Sequence, residues 1–562
     1  FSSQSSKFNY GDIPERWQQW NIEWNDDISN TIDKRTLSYR SIHFWAKNEN
    51  PEEYTRIKKG GVDYYIEKTL HDSNEYDIAV VLYQLYKDTH VCVSVQKNIW
   101  YEFKHHRWYE SDSAYNLRLN MSRKLSPIYK EKAQETTTSL SYSAIADLKI
   151  TDTNVTDSHE RIKRFGNISD KLRQTASKNN IMKEACFLYY DNDFYKKLNQ
   201  NPYLLCCKNG VYDFKEKRFR NGCPEDYISL STNINYVKFN PNNTEHVTIK
   251  GEIEDFLRQL FPVKELYDYM WDHMASALLG TIENQTFNIY IGGGRNGKSK
   301  LVELMSLILG DYKGTVPITL ITQKRQSVGS ASPEIAQLQG VRYAVMQEPS
   351  KGDKINEGIM KEITGGDPLQ GRCLFKDTVT FIPQFKLVVC TNNLFDIKSN
   401  DDGTWRRIRV CDFMSKFDDE PEITEDSPYV YKKDKYIDRK FQSWKSIFLS
   451  LLIDRVQETM GNVADCSIVM SAMNNYRKAQ DAFTQFFDEK IIKNPGGTIT
   501  TTNVQEDFKI WYQENCGPKV PQAKDLNEYL DSKLGRRKGK VWKGYELLLE
   551  DEKEPDDTGN EP

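Results

Sequence analysis

Eight consecutive residues carry the strongest chemical signal in the chain: Gly292, Gly293, Gly294, Arg295, Asn296, Gly297, Lys298 and Ser299. They satisfy G-x-x-x-x-G-K-[ST] in full. Glycines at this spacing let backbone N–H groups converge on a phosphate at a helix N-terminus. Lys298 would reach the β- and γ-phosphates of a nucleotide, and the Ser299 hydroxyl would ligate Mg²⁺. Further along, an apolar run ends in Gln347-Glu348, and Glu348 is placed to polarise an attacking water. Gln347 stands where many P-loop motors carry Asp, so Mg²⁺ would rest mainly on Ser299 and water. Asn392 follows another apolar run and can sense a γ-phosphate; the alternative is a turn-forming Asn392-Asn393 pair. Arg406 and Arg407 precede a short apolar stretch. One of them could stabilise the charge of phosphoryl transfer from a neighbouring subunit, the alternative being a surface basic cluster.

These groups need elements to hold them. Thr286–Ile291 reads as a strand, and the residues after the glycine loop read as a helix with Leu301, Leu304, Met305 and Ile308 on one side, closed by Gly310. Strand, glycine loop and helix form the context a phosphate loop requires. Val341–Met346 and Phe385–Thr391 read as further strands, so the alternation predicts a three-layer α/β domain to about Phe413. Phe256, Leu260, Leu266, Tyr269, Met270 and Met274 have helical spacing upstream. Earlier still, helices are expected over Ala79–Lys87 and Leu117–Glu135, and Asn201–Phe214 carries an Asn-Gly hairpin signal. Trp17, Trp20 and Trp24 suggest a small helical unit, or else an aromatic cage. Near the C-terminus, helices are expected over Ala482–Ile492, Val504–Trp511 and Asp525–Leu534, followed by a basic hairpin and Val541–Leu549, a winged-helix pattern. Lys533, Arg536, Arg537, Lys538, Lys540 and Lys543 put six cations in eleven residues, with Trp542 among them. Such a wing fits duplex or fork contact, while a solvated charge run is the plain alternative. Glu550–Pro562 holds seven acidic residues and reads as a disordered tail.

Composition limits the remaining possibilities. At 562 residues the chain is too long for one core. Hydrophobic residues make up 38% and charged residues 28%, enough to fill packed cores. No apolar run is long enough for a membrane span. With 77 basic and 81 acidic side chains the net charge is −4, so nucleic-acid contact must come from local patches or from a ring of copies. The ten cysteines show no C-x-x-C spacing, which argues against a zinc ribbon and for a reducing compartment.

Taken together, the glycine loop, the strand ending at Glu348, "GGDPLQGRCLFKDTVTFIPQFKLVVCTNN" (Gly365–Asn393) and "GTWRRIRVCDF" (Gly403–Phe413) resemble a superfamily 3 helicase. The likeness is to the poxvirus-type primase-helicases of nucleocytoplasmic large DNA viruses. It is dense over Glu252–Phe413 and weaker over Asn201–Thr232, which looks like the helical domain preceding the motor. Phe1–Trp20 resembles the end of a primase C-terminal segment, with the catalytic primase domain expected upstream.

The resemblance implies an AAA+ core of mainly parallel sheet, a mainly helical N-terminal domain and a C-terminal winged-helix-like module. It implies ATP and Mg²⁺ as cofactors and a homohexameric ring moving along single-stranded DNA with 3′→5′ polarity. Carried onto this chain, Lys298 is the loop lysine, Ser299 the Mg²⁺ hydroxyl, Gln347 and Glu348 the Walker B pair and Asn392 the sensor. Arg407 is the arginine finger, with Arg406 second. Lys361 would lie near phosphate. A β-hairpin projecting into the ring channel would present Phe375 and Lys376 to DNA, and Arg536, Arg537, Lys538 and Lys540 would add a second DNA contact. The expected divisions are 1–75 as linker, 76–250 as pre-helicase domain, 251–455 as motor, 456–549 as C-terminal module and 550–562 as tail. Expected partners are single-stranded and forked DNA, further copies, the upstream primase domain and other replication proteins, with no membrane. The setting would be the host-cell cytoplasm and also the nucleus. Two other readings stay open: a DNA-packaging or remodelling ATPase, and a DNA-binding scaffold that binds ATP without hydrolysing it.

Overall fold

The computed structural model describes residues 47–48, 50–145, 152–323, 332–347, 355–372, 378–395, 397, 401–425, 427–480, 482–516 and 520–548. The expectations for the tryptophan-rich N-terminus and the acidic tail therefore lie outside the described residues. The chain divides into two units. The first comprises Phe1–Phe239, Leu307–Tyr312 and Lys445–Ser450, and the second holds the rest.

In the first unit, helices α1 (Pro51–Asp72) and α2 (Glu75–Tyr86) precede an antiparallel meander of β1 (His90–Ser94), β2 (Ile99–Lys104) and β3 (Arg107–Asp112). Asn50 and Asn74 cap the two helices by accepting from the N–H groups of Glu53 and Asp77. Helices α3 (Ser126–Ile145), α4 (Asp152–Lys171) and α5 (Thr175–Leu188) follow. Ile78, Leu82, Trp100, Tyr129, Phe165 and Ile181 form their shared core. The expected Asn-Gly hairpin is present: β4 (Leu204–Cys207) pairs antiparallel with β5 (Gly210–Asp213), and β6 (Arg218–Arg220) completes that small sheet.

The second unit opens with α6 (Thr244–Leu260) and α7 (Lys264–Ser276) and is built on a five-stranded parallel sheet. Its strands are β7 (Phe287–Ile291), β8 (Lys313–Thr315), β9 (Tyr343–Gln347), β12 (Lys386–Thr391) and β13 (Ile408–Asp412), in the order β13-β7-β12-β9-β8. Near-continuous apolar strands are what a parallel sheet buried on both faces needs. Phe287, Ile289, Met346, Leu387, Val389 and Val410 enter one cluster. That cluster also takes Met360 and Ile363 of α9 (Glu357–Gly365) and Met473 and Tyr476 of α11 (Ser467–Gln480). On α7, the Tyr269 hydroxyl donates to Oδ1 of Asn288 at 3.0 Å, and His273 stands edge-on to Tyr290 at 6.0 Å. Helix α8 (Lys298–Leu309) leaves the glycine loop, and α10 (Ile437–Thr459) precedes α11. Between β9 and β12, β10 (Leu369–Arg372) and β11 (Thr378–Phe381) form an antiparallel hairpin. Its connecting residues, including Phe375 and Lys376, lie outside the described residues. After β13, the short strands β14 (Lys416–Asp418) and β15 (Val430–Lys432) pair in parallel.

The C-terminal part has its own core of Phe486, Val504, Phe508, Trp511, Leu530 and Trp542. It contains helices α12 (Ala482–Lys490), α13 (Thr501–Asn515) and α14 (Ala523–Leu534). The sequence expectation of helix through Ile492 is corrected here. The helix stops at Lys490, and Ile491–Thr500 forms β16, which pairs antiparallel with β17 (Val541–Leu547). Ile491 and Ile492 are β-branched and face Leu547 and Glu546 across the ladder, so strand pairing overrides the local helical pattern. Trp542 is also corrected. It is 2% exposed in this core, with its indole N–H on Asp531 Oδ1 at 3.0 Å, and so is not an exposed ring for DNA. Among the described residues, no helix is long and apolar enough to cross a membrane.

Candidate functional site

The glycine loop begins where β7 ends, at the C-terminal edge of the parallel sheet, and α8 starts at Lys298. The loop is tightly constrained. A Cβ on Gly292 would come within 2.2 Å of Asn296 Nδ2, and Arg295 adopts a left-handed φ of 63°. Asn296 is buried, and its Nδ2 has no partner among the described residues. Lys298 is 8% exposed. Its ammonium donates to the Gly292 carbonyl and, at 3.0 Å, to Asn392 Oδ1. The parallel pairing of β7 with β12 creates this meeting, because Thr391 lies opposite Ile291 and both strands end at the same edge. Asn392 and Ser299 are exposed beside it. The Arg295 guanidinium, by contrast, bonds Asp418 at 3.1 and 3.3 Å.

Asp412 belongs to the same edge and was not anticipated from the sequence. It closes β13 opposite Ile291. Burial raises its carboxyl pKa, and the nearby Lys298 cation acts in the opposite sense. The available signal was its place as the polar end of Ile408–Asp412, level with Thr391, the residue before Asn392. Glu348 falls outside the described residues, directly after the end of β9, and the Gln347 backbone is the last residue of that strand.

A second cluster occupies the opposite edge. The Arg407 carbonyl accepts from the N–H of Phe287, the first residue of β7. At ~3.3 Å per strand residue, the arginine turn stands at least ~13 Å from the glycine loop. Arg407 is 9% exposed; its guanidinium donates to the Gly403 carbonyl at 2.6 Å and to Gln285 Oε1 at 3.1 Å. Burial, then the neighbouring Arg406 cation, lower its pKa. Arg406 is exposed. Helix α9 clamps this turn, since Glu357 accepts from the Thr404 hydroxyl at 2.9 Å and Lys361 pairs with Asp401. Lys361 thus lies with the arginines and not with the phosphate loop.

The basic stretch near the C-terminus is divided. Arg536, Lys538 and Lys540 are exposed. Arg537 is half-buried, its guanidinium 5.5 Å from the Trp542 ring centre and 3.8 Å from Asp531. Among the described residues, no group of His, Cys, Asp and Glu could hold a metal ion by itself.

The glycine loop and Asn392 therefore meet at one edge of a parallel sheet, in a mixed α/β protein. The family model described as D5 N terminal like matches residues 79–262, and a family of unknown function, DUF5906, matches residues 290–407. A protein of Acanthamoeba polyphaga mimivirus named "Putative helicase L207/L206" is 32% identical over 94% of this chain and 54% of its own length. "Putative helicase 022R" of Frog virus 3 is 26% identical over 98% of this chain and 64% of its length. "Putative primase C962R" of African swine fever virus is 25% identical over 95% of this chain and 58% of its length. The chain belongs to the D5-type primase-helicase family of nucleocytoplasmic large DNA viruses. It spans little more than half the length of these relatives. Among solved structures, the C-terminal region of NrS-1 is similar at 15% identity and a TM-score of 0.31, covering 55% of this chain and 70% of that one.

Proposed function

We propose that this chain is the motor part of an ATP-dependent DNA helicase that acts in viral genome replication. The contact between Lys298 and Asn392 carries the reading. It brings the loop cation and a γ-phosphate sensor to one point at the end of two neighbouring strands, as phosphoryl transfer needs. The donor set fits a polyphosphate: a buried ammonium, the Asn296 Nδ2 that finds no partner among the described residues, and the N-terminus of a twelve-residue helix converge there. Lys298 and the loop amides would hold the phosphates, and Ser299 would hold Mg²⁺. When bound, Mg²⁺ neutralises charge developing on the transferred phosphoryl group. Asn392 would orient the γ-phosphate, Glu348 would take the proton of the attacking water, and Asp412 would hold Lys298 in place.

The arginines support a ring. At least ~13 Å from their own phosphate loop, Arg406 and Arg407 are useful to hydrolysis only in a second copy. Arg406 is exposed and would reach a neighbour without breaking a side-chain bond to any described residue, while Arg407 is anchored on Gly403 and Gln285. Our reading is an AAA+ motor of superfamily 3, hexameric, with 3′→5′ movement on single-stranded DNA. The β10–β11 hairpin would carry Phe375 and Lys376 into the channel, and a winged-helix-like C-terminal module would touch the fork. The relatives named as helicase and primase support DNA as the substrate. The test is ATP turnover and strand displacement on a forked duplex, for the wild type and Lys298→Ala. Turnover without displacement on any DNA would favour a packaging or remodelling ATPase. ATP binding without turnover would favour a scaffold.

A further inference from the structure

Glu357, Lys361 and Gly365 stand four positions apart on α9 and so share one stripe of the helix. All three are tied to the arginine turn. Glu357 accepts at 2.9 Å from the hydroxyl of Thr404, a residue with no exposed surface. Lys361 pairs with Asp401, whose other oxygen caps the short helix Asp402–Trp405 by accepting from the Gly403 N–H at 3.2 Å. The tie at Gly365 runs through Gln285, a residue distant in sequence. The Gln285 Nε2 donates to the Gly365 carbonyl at 3.0 Å, and its Oε1 accepts from the Arg407 guanidinium at 3.1 Å. One side-chain amide thus joins the C-terminal end of α9 to the buried arginine. Gln285 adopts a left-handed φ of 48°, uncommon for a residue other than glycine, and its N–H donates to the Ile282 carbonyl at 2.9 Å. Ile282 in turn covers Gly366, where a Cβ would lie 3.2 Å from its Cδ1. Just beyond, β10 starts at Leu369 as the first arm of the hairpin.

We propose that Glu357 and Gln285 are positioning residues that lock α9 onto the arginine turn, so that this helix carries movement between the arginines and the β10–β11 hairpin. The proposal rests on the reading above, in which the arginines serve a second copy and the hairpin meets DNA. A helix bonded to one turn at its first, middle and last residues shifts with that turn as a rigid body. Displacement of the arginine turn therefore reaches Gly365 undiminished. Only Gly366, Asp367 and Pro368 separate that point from β10, and the fixed φ of Pro368 limits the slack. In the other direction, DNA held by the hairpin acts on the arginines through the same three ties. Removing one tie loosens the link while leaving the glycine loop, the arginine side chains and the hairpin arms in place.

The test compares ATP turnover by the full chain without DNA and with saturating single-stranded DNA, alongside DNA affinity measured separately. In Glu357→Ala, stimulation by DNA should fall at least about fivefold, while turnover without DNA and DNA affinity each stay within about twofold. Glu357→Gln keeps an oxygen for the Thr404 hydroxyl and should retain the stimulation. Gln285→Gly deletes both amide bonds without straining the left-handed backbone, and it should repeat the selective loss if Glu357→Ala does not fold. Turnover with and without DNA falling in parallel, or stimulation unchanged in Glu357→Ala and Gln285→Gly, would overturn the coupling alone. A wild type whose turnover ignores DNA would overturn the functional reading, and the coupling with it.

Discussion

The two edges of the parallel sheet both carry cations and treat them differently. At the C-terminal edge, Lys298 is almost buried and held on the Gly292 carbonyl and Asn392. At the N-terminal edge, Arg407 is tied down but Arg406 faces solvent. A cation that must meet a phosphate within its own chain can be fixed in advance. A cation that must meet one in another chain has to remain on the surface until that chain arrives. On this reading the sheet separates the two halves of one reaction, and only a second copy reunites them.

The strongest way to break this comparison is to damage each edge and then mix. Lys298→Ala and Arg406→Ala should each abolish ATP turnover alone, the arginine loss being ~10³–10⁵-fold. Mixed subunits should regain part of it, because some interfaces then pair an intact loop with an intact arginine. Steady-state hydrolysis after verified subunit exchange measures this, and absence of recovery would mean the two edges do not cooperate between copies. Arg407→Ala should show the same complementation only if Arg407 leaves its internal bonds.

Glu348→Gln sharpens the chemistry of the loop edge. Losing a positioned base should slow hydrolysis ~10²–10⁴-fold while nucleotide binding stays near wild type. A collapse in nucleotide affinity, measured by titration, would make Glu348 structural.

Cations distant from both edges give a third region for contrast. Replacing Arg536, Lys538 and Lys540 together by Gln should lower DNA affinity and reduce the slope of log K against log salt by ~0.7–0.9 for each phosphate no longer neutralised. Turnover without DNA should not change. Altered turnover without DNA would show that the C-terminal module reaches the sheet chemistry.

The smallest effect lies under the sheet and should touch both edges equally. His273 is 2% exposed, its Nε2 has no partner among the described residues, and burial, with the Lys386 cation adding to it, lowers its pKa to about 3. The unfolded chain binds this proton near the ordinary value of about 6.5 and the folded chain does not. Stability should therefore be intact above about pH 6.5 and decline as the pH falls toward 3. Urea midpoints measured from pH 7 to 4 should drop less steeply for His273→Leu than for the wild type.

What could be read in advance was local. The glycine loop needs only its own eight residues, the strand before it and the helix after it, so Gly292–Ser299 and the places of β7 and α8 in the chain were legible. The hairpin between β9 and β12 was expected only from the family resemblance, and its arms, Leu369–Arg372 and Thr378–Phe381, come from the structure. Ile491 and Ile492 were misread as helix because the residues that turn them into a strand, Glu546 and Leu547, lie more than fifty positions away. Trp542 looked like an exposed ring among cations because nothing nearby reveals the core formed by Phe486, Phe508 and Leu530.

The sequence by itself determined the kind of chemistry, since phosphate binding by backbone N–H groups depends on glycine spacing and one lysine. Only the tertiary structure decided where each charge went. It put Asn392 on Lys298, Asp412 beside them, Arg295 on Asp418, Lys361 on Asp401, and Arg406 outside while Arg407 was held within. The reason is physical. A long charged side chain carries its head several ångströms from its backbone, and its partner is whichever strand end or loop the fold brings within that reach.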